Sequence, residues 1–206
     1  SPKNCERICD IISDEVKLSL DYSEPVFSGK EIRIRIYEKT PYKLDIYSAS
    51  MCASNSNETG DSSTSFTDGT GNSYVVLSDG MGSGKNASLE SKMVVTMFKK
   101  LINSGADYTS AIKLINSIML TKSQEEAFAT LDVIKVNLDT SNLTVIKSGA
   151  SATLIRHNNQ IIKICYPTFP IGIVEEADTY SRDFEFAKKF DLEIIDLYNI
   201  DDINTL

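Results

Sequence analysis

Alternating apolar and polar residues predict strands on both sides of a central helical region. Before that region, residues 31–38 alternate isoleucine with charged side chains, and residues 43–50 alternate in the same way. Alternation with a period of two is typical of strands that bury one face. After the region, short apolar segments separated by the turns TSN and HNNQ indicate an antiparallel meander; they are residues 130–139, 143–149, 152–156 and 161–166.

Two segments between these strands have a helical period. Apolar side chains from Leu89 to Leu101 recur every three or four positions, and the pattern stops at Gly105, a common helix terminator. Asp107 is then placed to cap a second helix, which has its own apolar stripe. The order of strands, two helices and strands predicts an α+β domain in which a helix pair covers one face of an antiparallel sheet.

The N-terminal residues form a further amphipathic pattern. Residues 5–20 can form a helix with one apolar face, and its default role is packing or dimerisation. Cys5 and Cys9 lie one helical turn apart, which leaves two interpretations open: two packed thiols, or a metal or redox pair. The four cysteines do not have the spacing of a zinc site, and we expect a reducing, cytoplasmic compartment.

The composition limits the classes of partner. With 206 residues, 41% of them hydrophobic, the chain is long enough for one domain with a substantial core and an extra N-terminal segment. A net charge of -8 and scattered basic residues disfavour nucleic acid as a partner. No apolar run reaches membrane-spanning length and no signal peptide is evident, so we expect a soluble chain, free or cut from a longer membrane-anchored protein.

A single histidine narrows the chemistry. His157 lies in a predicted turn between two strands, where an exposed residue without a catalytic role is the default expectation. Serine and cysteine hydrolases need a histidine base, and transition-metal sites usually need more than one imidazole. Carboxylates are therefore the favoured carriers of any chemistry in this chain.

The segment YVVLSDGMGSGKNASLESK, residues 74–92, places glycines between a buried strand and a helix. The phosphate-loop pattern G-x-x-x-x-G-K-[ST] fails here, because Asp79 stands where the first glycine is needed and Asn86 follows Lys85. The dinucleotide pattern also fails, because the glycines are spaced two and two. A nucleotide-binding loop is therefore disfavoured.

Asp79 supports a different interpretation of this segment. It ends the apolar run YVVLS, so its carboxylate would emerge at the tip of a strand, where the following glycines expose backbone carbonyls. Asp61 lies 18 residues earlier, a separation that suits two adjacent antiparallel strands. Two carboxylates at neighbouring strand ends would suit Mg²⁺ or Mn²⁺, although aspartates also serve turns and that alternative stays open.

These residues together resemble a known family. Gly60-Asp61, LSDGMGSGKNASLES at residues 77–91, AIKLINSIML, ATLDVIKVNLD, SGASATLIR and PIGI at residues 170–173 are similar to the phosphatase domain of the stage II sporulation protein E family. That family belongs to the metal-dependent type 2C serine/threonine protein phosphatases. The resemblance runs from about residue 42 to about residue 175, and SDGMGSG with LES is specific to the sporulation branch.

The resemblance implies a fold, a cofactor and a site. The fold would be an αββα sandwich that holds two Mn²⁺ or Mg²⁺ ions. Asp61 and Asp79 would be the catalytic residues: Asp79 would bridge both metals, while Asp61 and the backbone carbonyl of Gly80 would bind one of them. The metals would activate a water to attack a phosphoserine or phosphothreonine.

The resemblance also implies a partner and a regulatory region. The substrate would be a phosphorylated protein such as an anti-anti-sigma factor. The process would be sporulation and the regulation of sigma factors. The two helices, about residues 86–104 and 107–120, would act as a switch. Residues 1–40 would be the end of a regulatory segment, and residues 41–206 the phosphatase-like domain.

One family motif does not match. The family has a second Ser-Asp-Gly after PIG, whereas the corresponding strand here begins at Asp191 and places Tyr198 and Asn199 at the aspartate and glycine positions. A phenol does not replace a carboxylate as a metal ligand, so this chain would hold one metal instead of two unless another residue substitutes. The candidates for that substitution are Asp196, Asp201 and Asp202.

Three explanations of the mismatch stay open. The chain is a shortened homologue, a chain that lacks its C-terminal third, or a catalytically inactive regulatory module that binds a partner without hydrolysing it. Missing C-terminal strands would leave sheet edges that need a cover, and a second copy of the chain in a homodimer could provide it.

Overall fold

The computed structural model describes residues 2–22, 25–29, 31–49, 59–82, 84–122, 128–157, 160–185 and 192–196 of the 206-residue chain. The chain divides into two compact units, Ser1–Lys43 and Leu44–Leu206. Among the described residues, no helix combines the length and the apolar character needed to cross a membrane.

In the N-terminal unit, the residues that the structure describes form one helix and two short antiparallel sheets. Strand β1 pairs with β4, and β2 pairs with β3. The helix buries Cys5 and Cys9, which are both free thiols, in agreement with the packed-thiol interpretation. The elements are α1 (Pro2–Val16), β1 (Leu20–Tyr22), β2 (Val26–Ser28), β3 (Glu31–Arg33) and β4 (Ile36–Glu38).

Two strand predictions before the glycine-rich segment are wrong. Residues 31–38 do not form one strand, because β3 and β4 are separated by two residues and pair with different partners. Residues 42–49 form no strand, and Leu44 packs instead against a core of the second unit; residue 50 lies outside the described residues. Alternation identifies an apolar face, but the pairing partner decides whether the segment becomes a strand.

The described residues of the second unit form two antiparallel sheets and two helices. The five-stranded sheet has the order β11-β8-β7-β6-β5, and the three-stranded sheet has the order β10-β9-β12. Every neighbouring pair in both sheets is antiparallel, as predicted. The predicted single meander is wrong, however, because β7 and β8 pair in one sheet whereas β9 and β10 pair in the other. The elements are β5 (Asp61–Thr67), β6 (Asn72–Asp79), α2 (Lys85–Asn103), α3 (Tyr108–Lys122), β7 (Leu131–Asn137), β8 (Leu143–Ser148), β9 (Thr153–His157), β10 (Gln160–Ile164), β11 (Tyr180–Phe184) and β12 (Leu192–Asp196).

Each face of the five-stranded sheet covers its own core. Side chains from one face pack against α2 and α3, and side chains from the other face pack against the three-stranded sheet. Fully burying one aliphatic side chain contributes roughly 2 kcal/mol, so these contacts stabilise the layers. The layers confirm the predicted α+β class. The first core includes Tyr74, Val76, Phe98, Ile112, Ile115, Leu131 and Ile146, and the second includes Ile134, Val136, Leu143, Val145, Ile155 and Ile164.

Helix α2 ends, and helix α3 begins, where the sequence predicts. Gly105 follows α2 with a φ of 94° and donates its N–H to the carbonyl of Ile102, at 2.9 Å. A positive φ is accessible to glycine without steric cost, which explains the termination there. Asp107 caps α3 by accepting the N–H of Ser110 at 2.9 Å.

Strand β11 has no counterpart among the strands predicted from the sequence. This strand lies at the edge of the five-stranded sheet and pairs with β8, but its three central residues are polar and exposed. An edge strand of this kind has no apolar alternation to detect. Strand β12, by contrast, falls within the predicted segment that begins at Asp191, and it pairs with β9. Asp191 itself lies outside the described residues.

A buried ion pair lies between the two sheets. Lys147 of β8 donates from Nζ to Asp132 Oδ2 of β7 and to Thr153 Oγ1 of β9, the latter at 2.6 Å. All three residues are fully buried. Burying a charge is unfavourable unless it is paired and hydrogen-bonded, so these three residues depend on one another and tie the sheets together.

Removing one member of this pair should cost more stability than removing both. Lys147→Met leaves Asp132 in a dry interior without its lysine, and we expect the free energy of unfolding to fall by about 3–5 kcal/mol. Combining it with Asp132→Leu should recover much of that loss, because the uncompensated charge is gone. Urea denaturation followed by circular dichroism measures both variants. Lys163→Met, at an exposed position on β10, is the control, and a double variant no more stable than Lys147→Met would contradict this account.

Candidate metal centre

The two candidate aspartates lie opposite each other on neighbouring strands. Asp61 is the first residue of β5 and Asp79 is the last residue of β6, and the antiparallel register pairs them directly. Residues paired in this way have their Cβ atoms about 5 Å apart and point to the same face of the sheet. The sequence-predicted carboxylates therefore meet at one end of the five-stranded sheet.

The sheet holds Asp79 by its backbone. Its N–H donates to Thr130 Oγ1 at 2.8 Å, and its carbonyl accepts the N–H of Thr130 at 2.8 Å. The hydroxyl of Ser78 donates to the Thr130 carbonyl at 2.6 Å. These bonds extend the β6 ladder past the last strand residue, so the half-buried Asp79 carboxylate projects from a fixed backbone.

Asp61 is held by its neighbour in the chain. Thr59 Oγ1 donates to Asp61 Oδ2 at 3.3 Å and accepts the Asp61 N–H at 3.1 Å. The backbone also joins the two strands one residue outward, because the Gly80 N–H donates to the Gly60 carbonyl at 3.2 Å. These bonds hold the Asp61 backbone at the end of β5.

Gly80 brings helix α2 against the candidate centre. A Cβ atom at this position would lie 1.9 Å from the carbonyl oxygen of Ala87, in the first turns of α2. No side chain fits there, so the helix and the strand end approach backbone to backbone. The N–H of Met81 donates to the carbonyl of Phe128 at 2.9 Å, which fixes the peptide plane that carries the Gly80 carbonyl.

Gly60 leaves a space between the candidate ligand atoms. A Cβ atom there would lie 3.2 Å from Asp79 Oδ1 and 3.4 Å from the carbonyl oxygen of Gly80. Any side chain at position 60 would fill that space. Because Gly60 has none, a carboxylate oxygen and a backbone carbonyl oxygen border the same small volume.

The two carboxylates share an unfavourable charge. The pKa of Asp79 is raised from its ordinary value of 3.8 to about 6, by burial first and then by the charge of Asp61 and a hydrogen bond with it. Among the described residues, neither aspartate forms an ion pair with a lysine, arginine or histidine. A carboxyl pKa raised by burial and by an adjacent like charge is typical of sites that a proton or a cation must neutralise.

The donor atoms fit a hard divalent cation. They are two carboxylates and one backbone carbonyl, all oxygen, and Mg²⁺ and Mn²⁺ prefer such ligands. Within the described ranges, no group of three or more acidic, histidine or cysteine side chains is placed to bind a metal. The described residues thus place two carboxylates and one carbonyl together as candidate ligands.

Several sequence-predicted positions lie elsewhere. Tyr198, Asn199, Asp201 and Asp202 lie outside the described residues, and Asp196 ends β12 with its backbone paired to Thr153. Lys85 is exposed at the start of α2. The positions that sequence reasoning missed are those that support the centre through the backbone, Thr130, Phe128 and Ala87, because only the folded chain brings them beside Asp79 and Gly80.

Comparison with known proteins gives one family. The family model described as stage II sporulation protein E (SpoIIE) matches residues 69–192. The chain is similar to stage II sporulation protein E of Priestia megaterium, at 36% identity over 104 residues, which are 50% of this chain and 18% of that protein. It is also similar to stage II sporulation protein E of Bacillus subtilis (strain 168), at 27% identity over 171 residues, 83% of this chain and 21% of that protein. The chain thus spans about a fifth of the length of these curated relatives.

Solved structures show the same fold. The PP2C phosphatase domain of SpoIIE from Bacillus subtilis, with a fragment of its regulatory domain, superposes with a TM-score of 0.66 at 24% identity, over 88% of this chain and 55% of that chain. The RsbU and RsbW domains of a Mycobacterium tuberculosis protein superpose with a TM-score of 0.53 at 16% identity, over 63% of this chain and 37% of that chain. At these identities, the likeness establishes a PP2C-type fold.

The metal-free protein should lose stability as the pH rises through the folded pKa of Asp79. That pKa, about 6, lies above the ordinary value of 3.8, so the folded state binds more protons than the unfolded state between these values. The free energy of unfolding therefore falls across about pH 4 to pH 6. Asp79→Asn removes the charge and should stabilise the metal-free protein at pH 7 by about 1 kcal/mol, after a discount for the solvent screening of a half-buried group.

Urea denaturation in the presence of a chelator measures this effect, and Asp68→Asn is the matched control. Burial alone would raise the pKa of Asp68, but hydrogen bonds from Asn72 and Thr70 outweigh it and lower that pKa. The ionised Asp68 therefore stabilises the fold above pH 4, and its substitution should destabilise the protein at pH 7. If Asp79→Asn also destabilised the metal-free protein at pH 7, the like-charge account would be wrong.

Gly80→Ala should disrupt the centre by steric overlap. The added methyl group would meet the Ala87 carbonyl at 1.9 Å, so the first turns of α2 must move away from the strand end. We expect a loss of about 1–3 kcal/mol in the free energy of unfolding, together with weaker Mn²⁺ binding by calorimetry. Gly69→Ala is the control, because an added Cβ meets nothing within 4 Å there. Equal effects of the two substitutions would contradict the prediction.

Proposed function

Because this chain belongs to the stage II sporulation protein E family, we propose that it is part of a metal-dependent phosphatase that removes phosphate from phosphoserine or phosphothreonine in a protein. The observation that carries the proposal is the pairing of Asp61 with Asp79 at the end of a sheet, beside the Gly80 carbonyl. The PP2C-type fold supports the same reaction class.

The proposed cofactor is Mn²⁺ or Mg²⁺, held by both carboxylates and the Gly80 carbonyl. Such an ion, when bound, lowers the pKa of a coordinated water and stabilises negative charge on phosphate oxygens. Burial first, and then the charge of Asp61, raises the pKa of Asp79 in the metal-free pair. Without a cation, these two carboxylates would repel a phosphate dianion.

The chain's own residues have distinct roles in this proposal. Asp61 and Asp79 would hold the cation at the end of the sheet, and Thr130 and Ser78 hold the Asp79 backbone in place. Gly80 contributes its carbonyl, and its missing side chain allows α2 to close over one side of the centre. No side chain forms a covalent intermediate, which agrees with a chain that has a single histidine.

The proposed substrate is a phosphorylated protein such as an anti-anti-sigma factor. The family membership supports it, and a structural neighbour combines RsbU and RsbW domains in one protein. The net charge of -8 does not suit nucleic acid as a partner. Three free cysteines among the described residues support a reducing, cytoplasmic setting for the reaction.

A second candidate function is binding without catalysis. In the described part of the chain, the side-chain ligands of the centre are two carboxylates, which suit one cation better than the two that the resemblance implies. Two-metal sites stabilise both the attacking and the leaving oxygen, so a one-metal centre should hydrolyse phosphate far more slowly. In that case the chain would bind its partner as a regulatory module.

Asp79→Asn should abolish Mn²⁺-dependent release of phosphate from a phosphoserine protein, with a loss of about 100-fold or more in rate. The same samples can be tested with p-nitrophenyl phosphate. Asp68→Asn, at the opposite end of the same strand pair, is the matched control and should retain the wild-type rate.

Calorimetric titration with Mn²⁺ separates the two candidate functions. Two bound ions with turnover would support the phosphatase, whereas one weak ion without turnover would support the binding module. Wild-type protein that binds no ion and hydrolyses neither substrate would overturn the metal-dependent phosphatase. Partner binding that survives Asp79→Asn would then be the evidence for the second candidate.

A further inference from the structure

We propose that Asn116 of α3 is a positioning residue that fixes the direction of the Gly80 carbonyl. The inference rests on the proposed function, because Gly80 matters only as part of that centre. Asn116 belongs to a different element and contacts a different loop, so its effect would travel through hydrogen bonds of the backbone.

The buried side chain of Asn116 forms hydrogen bonds with the backbone of one loop. Its side chain is 1% exposed, its Oδ1 accepts the N–H of Gly172 at 2.8 Å, and its Nδ2 donates to the carbonyls of Val174 at 2.9 Å and Glu175 at 3.2 Å. Three bonds from one buried amide satisfy a donor and two acceptors that secondary structure leaves open. The loop at 172–175 is therefore anchored on α3.

Beyond the end of β8, the residue that precedes the anchored loop takes the place of that strand in the five-stranded sheet. Gly149, with a φ of 65°, turns the chain away just after β8, and a Cβ there would lie 2.5 Å from Pro170. Ile171 then pairs with Ala129: the Ile171 N–H donates at 2.9 Å, and the Ala129 N–H donates back at 3.2 Å. The residue next to Gly172 thus continues the sheet beside the segment that leads into β7.

Ala129 connects the segment beside the anchored loop to the candidate centre. On its other side, it pairs with Gly80 as a further step of the β6–β7 ladder. Phe128, its neighbour, accepts the N–H of Met81 at 2.9 Å. In a trans peptide the N–H and the C=O point in opposite directions, so this bond turns the Gly80 carbonyl away from Phe128. The carbonyl oxygen then lies toward Gly60, 3.4 Å from where a Cβ would stand.

Losing the Asn116 bonds should therefore change the carbonyl ligand more than the carboxylate ligands. Asp61 and Asp79 are paired within the β5–β6 ladder, and Thr130, which bonds the Asp79 backbone, leads directly into β7 and not into the anchored loop. The Gly80 carbonyl instead depends on Phe128 and Ala129, which the anchored loop holds in place. Supporting groups outside the ligand set typically change metal affinity by about 10-fold to 100-fold.

The test compares Asn116→Leu and Asn116→Ala with Ser117→Leu. Ser117 is exposed on the same helix, and its hydroxyl donates to the Lys113 carbonyl in the preceding turn. Hydrogen exchange of the metal-free proteins, read by mass spectrometry, should accelerate in peptides covering residues 79–82, 128–130 and 171–175. The hairpin at residues 137–142, at the opposite end of the sheet, should keep its wild-type exchange. Calorimetry should show Mn²⁺ affinity weaker by about 10-fold in both Asn116 variants and unchanged in Ser117→Leu.

Three results would overturn the positioning role. Faster exchange throughout the chain, or failure of both Asn116 variants to fold, would show that Asn116 serves general stability. Faster exchange confined to residues 171–175, with Mn²⁺ affinity unchanged, would show that the anchored loop does not reach Gly80. If the wild-type protein bound no Mn²⁺, the proposed function would fail, while exchange at residues 79–82 in the metal-free proteins would still decide whether Asn116 holds this backbone.

Discussion

The register between β5 and β6 is the constraint on which both the core and the candidate centre depend. It places Asp61 opposite Asp79 and, further along, Phe66 opposite Tyr74, whose rings stack with centroids 5.0 Å apart. The aromatic pair packs with the helix-side core, whereas the aspartates fall on the other face. A slip of one residue would turn each set to the wrong side of the sheet, so the core specifies the geometry of the carboxylates.

Two acidic residues on the same face of this sheet have different electrostatic surroundings. Asp132 lies opposite Leu77, two residues before Asp79 along β6, so the two acids share a face. Asp132 is fully buried and paired with Lys147, whereas Asp79 is half-buried beside another carboxylate. Lys147 neutralises the acid that serves structure. Asp79 has an acid as its neighbour instead, and that difference is the physical basis for reading it as a ligand.

Features that depend on short stretches of sequence were predictable, and features that depend on remote partners were not. The ends of α2 and α3 follow from Gly105 and Asp107, and the Asp61–Asp79 pairing follows from two strand ends joined by a loop. Residues 31–38 have a clear strand pattern, yet their two halves pair with different strands. The sequence around Thr130 does not indicate that its hydroxyl accepts a hydrogen bond from the Asp79 N–H, because 51 residues separate them.

The candidate ligands therefore divide into two kinds by what holds them. The carboxylates lie on adjacent strands, so the β5–β6 ladder fixes their spacing. The Gly80 carbonyl sits just past the strand, where its direction is set by Phe128, and Phe128 adjoins the Gly80–Ala129–Ile171 ladder. In the proposed function, the β5–β6 ladder would supply the charge that binds a cation. The Gly80–Ala129–Ile171 ladder would direct the carbonyl that completes its coordination.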